Sequence, residues 1–520
     1  MFHLLSRLFQ RKKASASGGS LPEFSLKLSK RVVENLSTIQ DMLQSPSDLI
    51  VRQFHVGKSK HLCGIACIDG LVDKSVINDT IMQNVMLGVA QADKDAPPFV
   101  TADKLLDRLH TDIIPVDDIA VATSWDDIML AVFNGDTALF VDGTSRVLLI
   151  GTRGWASRGV EEPQTEALVR GPRDGFTENI RTNTVHLRRR IRDPNLRLDS
   201  MHVGRRGKRQ VIIAYMAGIT APDLVDEVKR RIDSIDIDDV EGSGYVEQWI
   251  MDSFLTPFPL IQTTERPDKC SAAILGGRVA ILVDGDPFAL IAPITLASMF
   301  QSPEDYYSHW LIATFLRVLR LASAFAATFL PALYIALVEY HQGMIPSKLA
   351  FSIAGTREGV PFPAVIEAFI MEGTLEILRE AGIRLPKPIG QTIGIVGGLV
   401  IGEAAVSAGI VSPIMVIVVA ITAISSFALP SYAFAITLRI IRFGIMLAAS
   451  LFGLYGIILS YIMINIHIVN LKSFGIPYST PFSPTFIKDW VDLIWRAPVT
   501  LLGRRPQMMQ TTDETRIRKK

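Results

Sequence analysis

The sequence predicts an α/β or α+β soluble region of two subdomains, followed by an α-helical polytopic membrane domain of four to five membrane elements. Three observations carry that expectation. Charge is segregated: residues 1–300 hold 35 of the 53 Lys and Arg, whereas residues 390–438 hold none. Strand-like and helix-like apolar patterns alternate through the first half, as in sheets covered by helices. The second half contains apolar runs near or above the roughly 20 residues that a helix needs to cross a bilayer. The formal net charge of +1 over 520 residues points to no charged partner.

Residues 1–24 read as tail and linker. In "MFHLLSRLFQRKK" the apolar run is broken by Arg7 and no small-residue cleavage site follows, so it is not a secretory signal. It reads either as a short amphipathic helix on a membrane surface or as a disordered tail leading into "ASASGGS". Subdomain 1 takes residues 25–154, with a helix over 25–45, a strand in "HLCGIACIDGLV" and helices in "VINDTIMQNVMLGVA" and "TADKLLDRL". It closes on a hairpin, "TALFVDGTSRVLLIGT", where apolar runs flank an Asp-Gly turn. Subdomain 2 takes residues 155–300: strand "RQVIIAYMAGI", helices "APDLVDEVKRRIDSI" and "YVEQWIMDSF", and hairpin "GRVAILVDGDPFALIAPI". No internal repeat is apparent.

The transmembrane domain is expected over 301–470, with spans at 309–338, 390–411, 412–437 and 441–469. Arg317 and Arg320 fall inside the first, and Pro430 is expected to kink the third. Between the first two spans an amphipathic helix near 361–384 carries Glu372, Glu376 and Glu380 at i, i+4 spacing on one face. That ridge reads as a solvated face with Arg379 and Arg384 as local partners, or as a vestibule that concentrates cations. Residues 471–520 form a cytosolic tail with nine Lys and Arg, on the same side as the N-terminal region. Four spans satisfy that parity but place Arg439 and Arg442 outside, against the positive-inside bias. A re-entrant segment or a half-buried helix around 286–300 or 346–356 would resolve the conflict.

Catalytic chemistry is not evident. There is no nucleophile–base constellation, P-loop, dinucleotide fingerprint or metal cluster, the nine histidines are scattered, and neither an enzyme nor a cofactor is expected. His61, Cys63 and Cys67 lie close in sequence, but strand residues four apart are roughly 13 Å from each other. That is too far for a disulfide or shared ligation, so reduced structural cysteines are expected. The run Arg188, Arg189, Arg190, Arg192 reads as internally paired with nearby acids, or as a contact for anionic head groups. Aromatic interleaving is missing, so nucleic acid is set aside.

Two features of the apolar half bear on assembly. Gly390, Gly394, Gly398 and Gly402 recur every four residues and allow close helix approach, within the chain or between subunits. Glu403 costs roughly 2.5–3.5 kcal/mol at mid-span unless it is paired or wet. It reads as a buried pair with Arg317 or Arg320, or as a pore-facing acidic collar in a ring. Pro413 closes this stretch.

The segment 161–197, "EEPQTEALVRGPRDGFTENIRTNTVHLRRRIRDPNLR", closely resembles the signature of GerA-type spore germinant receptor A subunits, carried here by Glu162, Glu166, Arg170, Gly171, Pro172, Gly175, Glu178, Asn183 and Arg189. Further blocks follow in order: "TERPDK", "GRVAILVDGDPFALI", "QSPEDYY", "EYHQGMIP", "REGVPFPAVIEA", "LREAGIRLPKPIGQTIGIVGGLVIG" and "SFGIPYSTPFSP". The resemblance spans about residues 25–485. It implies a membrane subunit of a nutrient receptor in the spore inner membrane, forming a ring, a pentamer, whose cation channel opens when a permease-like B subunit binds nutrient. A lipoprotein C subunit completes the implied complex. Where the family pattern reads "GQAAVEAG", this chain reads "GEAAVSAG": Glu403 stands at the amide position and Ser407 at the acid position, one turn apart on one face. Two alternatives stay open: a stage V sporulation AF-like accessory germination protein, and a non-conducting membrane signalling scaffold.

Overall fold

The computed structural model describes residues 27–44, 46–56, 61–89, 101–154, 162–163, 165–384, 402–493 and 495–517. The chain divides into two units, Met1–Gly159 with Thr184–Asp199, and Val160–Asn183 with Ser200–Lys520.

The first unit is built on a five-stranded sheet of order β1-β2-β4-β5-β3, formed by Leu49–Val56, His61–Ile68, Ile119–Ala122, Thr137–Val141 and Val147–Ile150 numbered in chain order. All four pairings are antiparallel. Successive strand residues face opposite sides, and both sides are covered. Cys63, Ile65 and Cys67 pack with Leu105, Leu106 and Leu109 on one face. Ala66 and Ile68 pack with the Val32–Leu43 and Trp125–Phe133 helices on the other. Two-sided burial explains why β2 and β4 read as continuous apolar runs.

A second sheet has order β6-β7-β9-β10-β8: Leu196–Val203, whose first four residues are assigned to the first unit, and Arg209–Met216, Gln262–Thr264, Val279–Val283 and Ala289–Ala292, all in the second. The β7–β9, β9–β10 and β10–β8 pairings are antiparallel. Of the two fold classes the sequence left open, these ladders select α+β. Strands β1, β3, β6 and β8 were not marked by the sequence patterns.

The two sheets share one topology, which corrects the expectation of no repeat. The hairpins align without a gap: Leu139 faces Leu148 in the first, and Ile281 faces Leu290 in the second, 142 residues later. Both close on Asp-Gly turns whose glycines take φ of 100° and 85°, a region that favours glycine. In each copy the turn Asp serves as the N-terminal cap of a distant helix. Asp142 Oδ1 accepts from Val32 N at 3.0 Å, and Asp284 Oδ1 accepts from Ile180 N at 3.3 Å. The turn glycine then donates back, Gly143 N to Lys30 O at 2.7 Å and Gly285 N to Glu178 O at 2.8 Å. A buried Asn completes each lock: Asn35 bonds both backbone groups of Ser29, and Asn183 both of Thr177. Glu178 and Asn183, two residues of the signature, are thus parts of a folding lock that occurs twice.

The C-terminal part of the second unit is helical. Among the described residues two helices are long and apolar enough to cross a membrane, Trp310–Glu339 and Tyr432–Asn470, with Pro413–Phe427 shorter. This measure supports two of the four to five expected membrane elements, and most of the expected 390–411 span lies outside the described residues. The expected 412–437 span ends early: Pro430 lies in the break between Pro413–Phe427 and Tyr432 rather than kinking a helix. The expected 441–469 span is interrupted at Gly453, where φ is 58° and ψ is −138°. There the chain doubles back. Thr437 donates to Pro257 O while His467 Nε2 lies 2.9 Å from Thr256 Oγ1, yet a straight helix would separate these positions by about 45 Å. A Cβ on Gly453 would sit 2.8 Å from His341 Cε1 and 3.0 Å from Tyr340 Cβ, so the turn has room only for glycine.

Residues 471–517 are not a free tail. Leu296 N donates to Tyr478 O, Arg505 Nε to Leu275 O and Thr512 N to Ile219 O, at 2.8, 2.9 and 3.0 Å. The segment is folded onto the β6–β10 subdomain.

Replacing Asn35 or Asn183 by Ala should destabilise its own copy of the lock by about 1–3 kcal/mol, the cost of stranding buried polar groups. Hydrogen exchange on the full chain should show faster opening of the Val32–Leu43 helix in the first case and of Ile180–Arg190 in the second. Cys63 and Cys67 are free and buried, and desolvation pushes their thiols up to about 12 and about 11. Maleimide should leave both unmodified in the native protein at neutral pH and label them on denaturation.

Candidate functional site

Charge inside the helical bundle is the unusual chemistry of this chain. The Ala364–Arg384 helix presents four acids along its length, and each meets arginine. Glu367 Oε1 lies 3.0 Å from Arg357 Nη2, while its Oε2 accepts from Ser412 N at 2.8 Å. Glu372 Oε2 lies 2.7 Å from Arg442 Nη2, with both side chains about 1% exposed. Glu376 meets Arg379 at 2.7 Å, Arg442 at 3.3 Å and Arg439 at 3.5 Å. Glu380 is exposed and pairs with Arg384 at 2.6 Å. An unpaired buried ion is strongly disfavoured, so the acids and the arginines of the Tyr432–Asn470 helix fix each other's rotation. Arg439 and Arg442 are buried in a helix rather than displayed in a loop.

A second cluster sits at the start of the Trp310–Glu339 helix. Asp305, fully buried, accepts from Arg317 Nε at 2.8 Å and from Arg320 Nη1 at 2.8 Å. Arg317 Nη1 also reaches Asp492 Oδ1 at 2.8 Å, and Tyr306 Oη donates to the same carboxylate at 2.7 Å. These acids, not Glu403, are the partners of Arg317 and Arg320, which corrects the pairing considered from sequence.

Glu403 and Ser407 are exposed, one turn apart within residues 402–407, which are helical. Among the described residues Glu403 has no ion-pair partner. Gly402 is buried, and a Cβ there would lie 3.7 Å from Val416 Cγ1, so this close approach is within the chain. Gly390, Gly394 and Gly398 lie outside the described residues. Pro413 opens the Pro413–Phe427 helix, capped by Ser412 Oγ accepting from Met415 N.

The signature segment forms a polar cluster with the "TERPDK" block. Buried Arg266 donates to Pro172 O at 2.6 Å and Glu166 O at 3.1 Å, and grips Asp268 through two nitrogens. Glu166 accepts from Thr264 Oγ1 and pairs with Lys269, and Tyr307 Oη donates to Asp268 at 2.8 Å. Gly171 takes φ 141° against the Tyr307 ring, and Gly175 is buried. Glu162 lies 3.7 Å from Arg173, while Arg170 and Arg189 are exposed. Within the basic run, Arg188 pairs with Asp48, both buried, at 3.2 Å, an internal pair with an acid 140 residues earlier. Sequence reasoning missed Asp48 and Asp492, whose partners are distant in the chain, and also Asp305 and Glu367, whose arginines lie only 10 to 15 residues away.

The model of the Bacillus/Clostridium GerA spore germination protein family matches residues 37–508. The chain belongs to that family. Spore germination protein GerLA of Bacillus cereus is 48% identical over 490 residues, covering 94% of this chain and 98% of that protein. Spore germination protein KA of Bacillus subtilis is 41% identical, covering 94% and 88%. Among solved structures, the N-terminal domain of the A subunit of the Bacillus megaterium spore germinant receptor GerK3 is 34% identical, with a TM-score of 0.40, over 52% of this chain and 96% of that one.

Arg442→Ala should strand Glu372 and destabilise the chain by about 3–5 kcal/mol, whereas a joint Glu372→Leu, Arg442→Met replacement should cost much less. Thermal unfolding of the detergent-solubilised protein would separate the two.

Proposed function

We propose that this GerA-family chain is the membrane subunit of a spore germinant receptor, assembled as a homopentameric ring whose cation path opens when a permease-like B subunit binds nutrient. A lipoprotein C subunit completes the assembly, and the protein resides in the spore inner membrane. Glu403 is the observation that carries this reading. The acids at 367, 372 and 376 are neutralised within the chain, whereas Glu403 is exposed and has no ion-pair partner among the described residues. An exposed carboxylate on an apolar bundle costs roughly 2.5–3.5 kcal/mol unless it meets water or a partner. A ring that turns this face inward supplies water, and repeated carboxylates select cations.

The contact of Arg317 with Asp492 supports a topology with the soluble region and the C-terminal segment on one side, so the chain crosses an even number of times. That side is the cytosol in this reading, in keeping with the basic residues of both ends.

Cation flux through the receptor complex in liposomes tests the reading. Glu403→Gln should lower the preference for cations over anions severalfold, with assembly unchanged. Unaltered conductance and selectivity would remove Glu403 from the path.

A further inference from the structure

The C-terminal segment carries a patch that the proposed function does not use. Ile487 is 77% exposed, Leu501 63%, and Trp490 and Trp495 46% each. Large apolar side chains grouped on a surface mark an interaction site. The patch is held at a defined height. Arg317 Nη1 donates to Asp492 O at 3.0 Å and Leu493 O at 3.1 Å, and Arg496 N donates to Thr314 Oγ1 at 3.2 Å. The strap therefore lies against the first turns of the Trp310–Glu339 helix.

The length of that helix sets the depth. Its 30 residues extend about 45 Å, against about 30 Å of hydrocarbon. About ten residues are surplus, and the Trp310 end holds the charged Arg317, Arg320 and Asp305 cluster. Thr314 and Arg317 then sit at the height of the head groups, and the strap beside them does too. Tryptophan favours this layer, with its ring in the acyl boundary and its N–H in the wet zone. Exposed Lys488 and Arg504 flank the patch and suit lipid phosphates.

A second patch lies at the same end of the bundle. Phe254 and Leu255 are 84% and 81% exposed. They directly precede Thr256 and Pro257, which meet His467 and Thr437 near the two open ends of the Gly453 hairpin.

We propose that residues 487–501, with Phe254 and Leu255, form a monotopic collar that inserts into the leaflet facing the soluble region. Its occupant is the lipid surface. The collar rests on the reading of Trp310–Glu339 as membrane-spanning, and it joins the soluble region to the bilayer independently of the spans.

Tryptophan quenching in nanodiscs tests the collar, using the full chain and phospholipids brominated either near the glycerol or near the chain ends. In a W310F background, which removes the tryptophan at the helix start, the glycerol-proximal bromines should quench about twofold more than the deep ones, and adding W490F/W495F should remove most of that shallow quenching. Phe325→Trp, placed in the double variant at a 60% exposed mid-helix position, reports on the span itself and should be quenched by the deep bromines. Deep quenching of this reporter together with unchanged shallow quenching in W490F/W495F overturns the collar and leaves the span standing. Trp490 and Trp495 shielded from both acrylamide and bromine would mean that protein covers the strap, which also overturns it. A mid-helix reporter untouched by either lipid would remove the span, and the collar with it.

Discussion

A carboxylate and a guanidinium sealed inside a helical bundle set the terms for the C-terminal half of this protein. Removing Glu372 and Arg442 from water costs several kcal/mol per ion, and only close mutual contact and further polar partners offset it. Each must therefore find the other, which fixes the rotation of the Ala364–Arg384 helix against Tyr432–Asn470. Glu376 extends the constraint by one turn to Arg379 and Arg439. Glu367 extends it in the other direction to Arg357 and the Ser412 backbone. Apolar helices slide and rotate over each other at little cost, and these charges remove that freedom.

What the sequence revealed follows the range of the interaction. The hairpins around Asp142 and Asp284 were legible because an Asp-Gly turn between apolar runs is a local signal. Helix Pro222–Asp233 was legible for the same reason, its apolar period and N-terminal proline lying within twelve residues. Strands β1 and β6, "LIVRQFHV" and "LRLDSMHV", mix charge with apolar residues and gave no clean alternation. The repeat escaped notice because the copies keep register and capping geometry while most core side chains differ. An apolar run tolerates such exchange if volume and pattern hold. The polar positions of the lock do not, and Asn35 with Asn183 and Asp142 with Asp284 are kept in both copies, as is the turn glycine.

The ion pairs were misread for a different reason. The ridge Glu372, Glu376, Glu380 was visible, but its partners Arg439 and Arg442 lie more than sixty residues away, and charge spacing within one helix finds only Arg379 and Arg384. Arg317 and Arg320 read as partners of Glu403 because Asp305, 12 and 15 residues before them, lies outside the expected span, and Asp492 belongs to a segment that reads as a tail. Gly453 posed the same difficulty. Nothing in an apolar run says that one glycine among several turns the chain back, and the packing of Tyr340 and His341 against it decides the matter.

These internal pairings bear on where an ion path can run. Among the described residues the buried acids of the Ala364–Arg384 helix, Glu367 and Glu372, are matched by arginine, so they offer no uncompensated negative charge to a cation. Glu403, exposed and without an ion-pair partner among the described residues, lies on the outside. Four-residue spacing places Ser407 on the same face, where a hydroxyl can hydrate without adding charge. A surface of that kind is unfavourable against lipid and favourable against water, so the proposed path belongs to the space between copies of the chain and not to the core of one. The rigid charge lattice inside each protomer then has a plain role. In the proposed assembly it would keep the wall of that space in one shape while partner contacts move the protomers relative to each other.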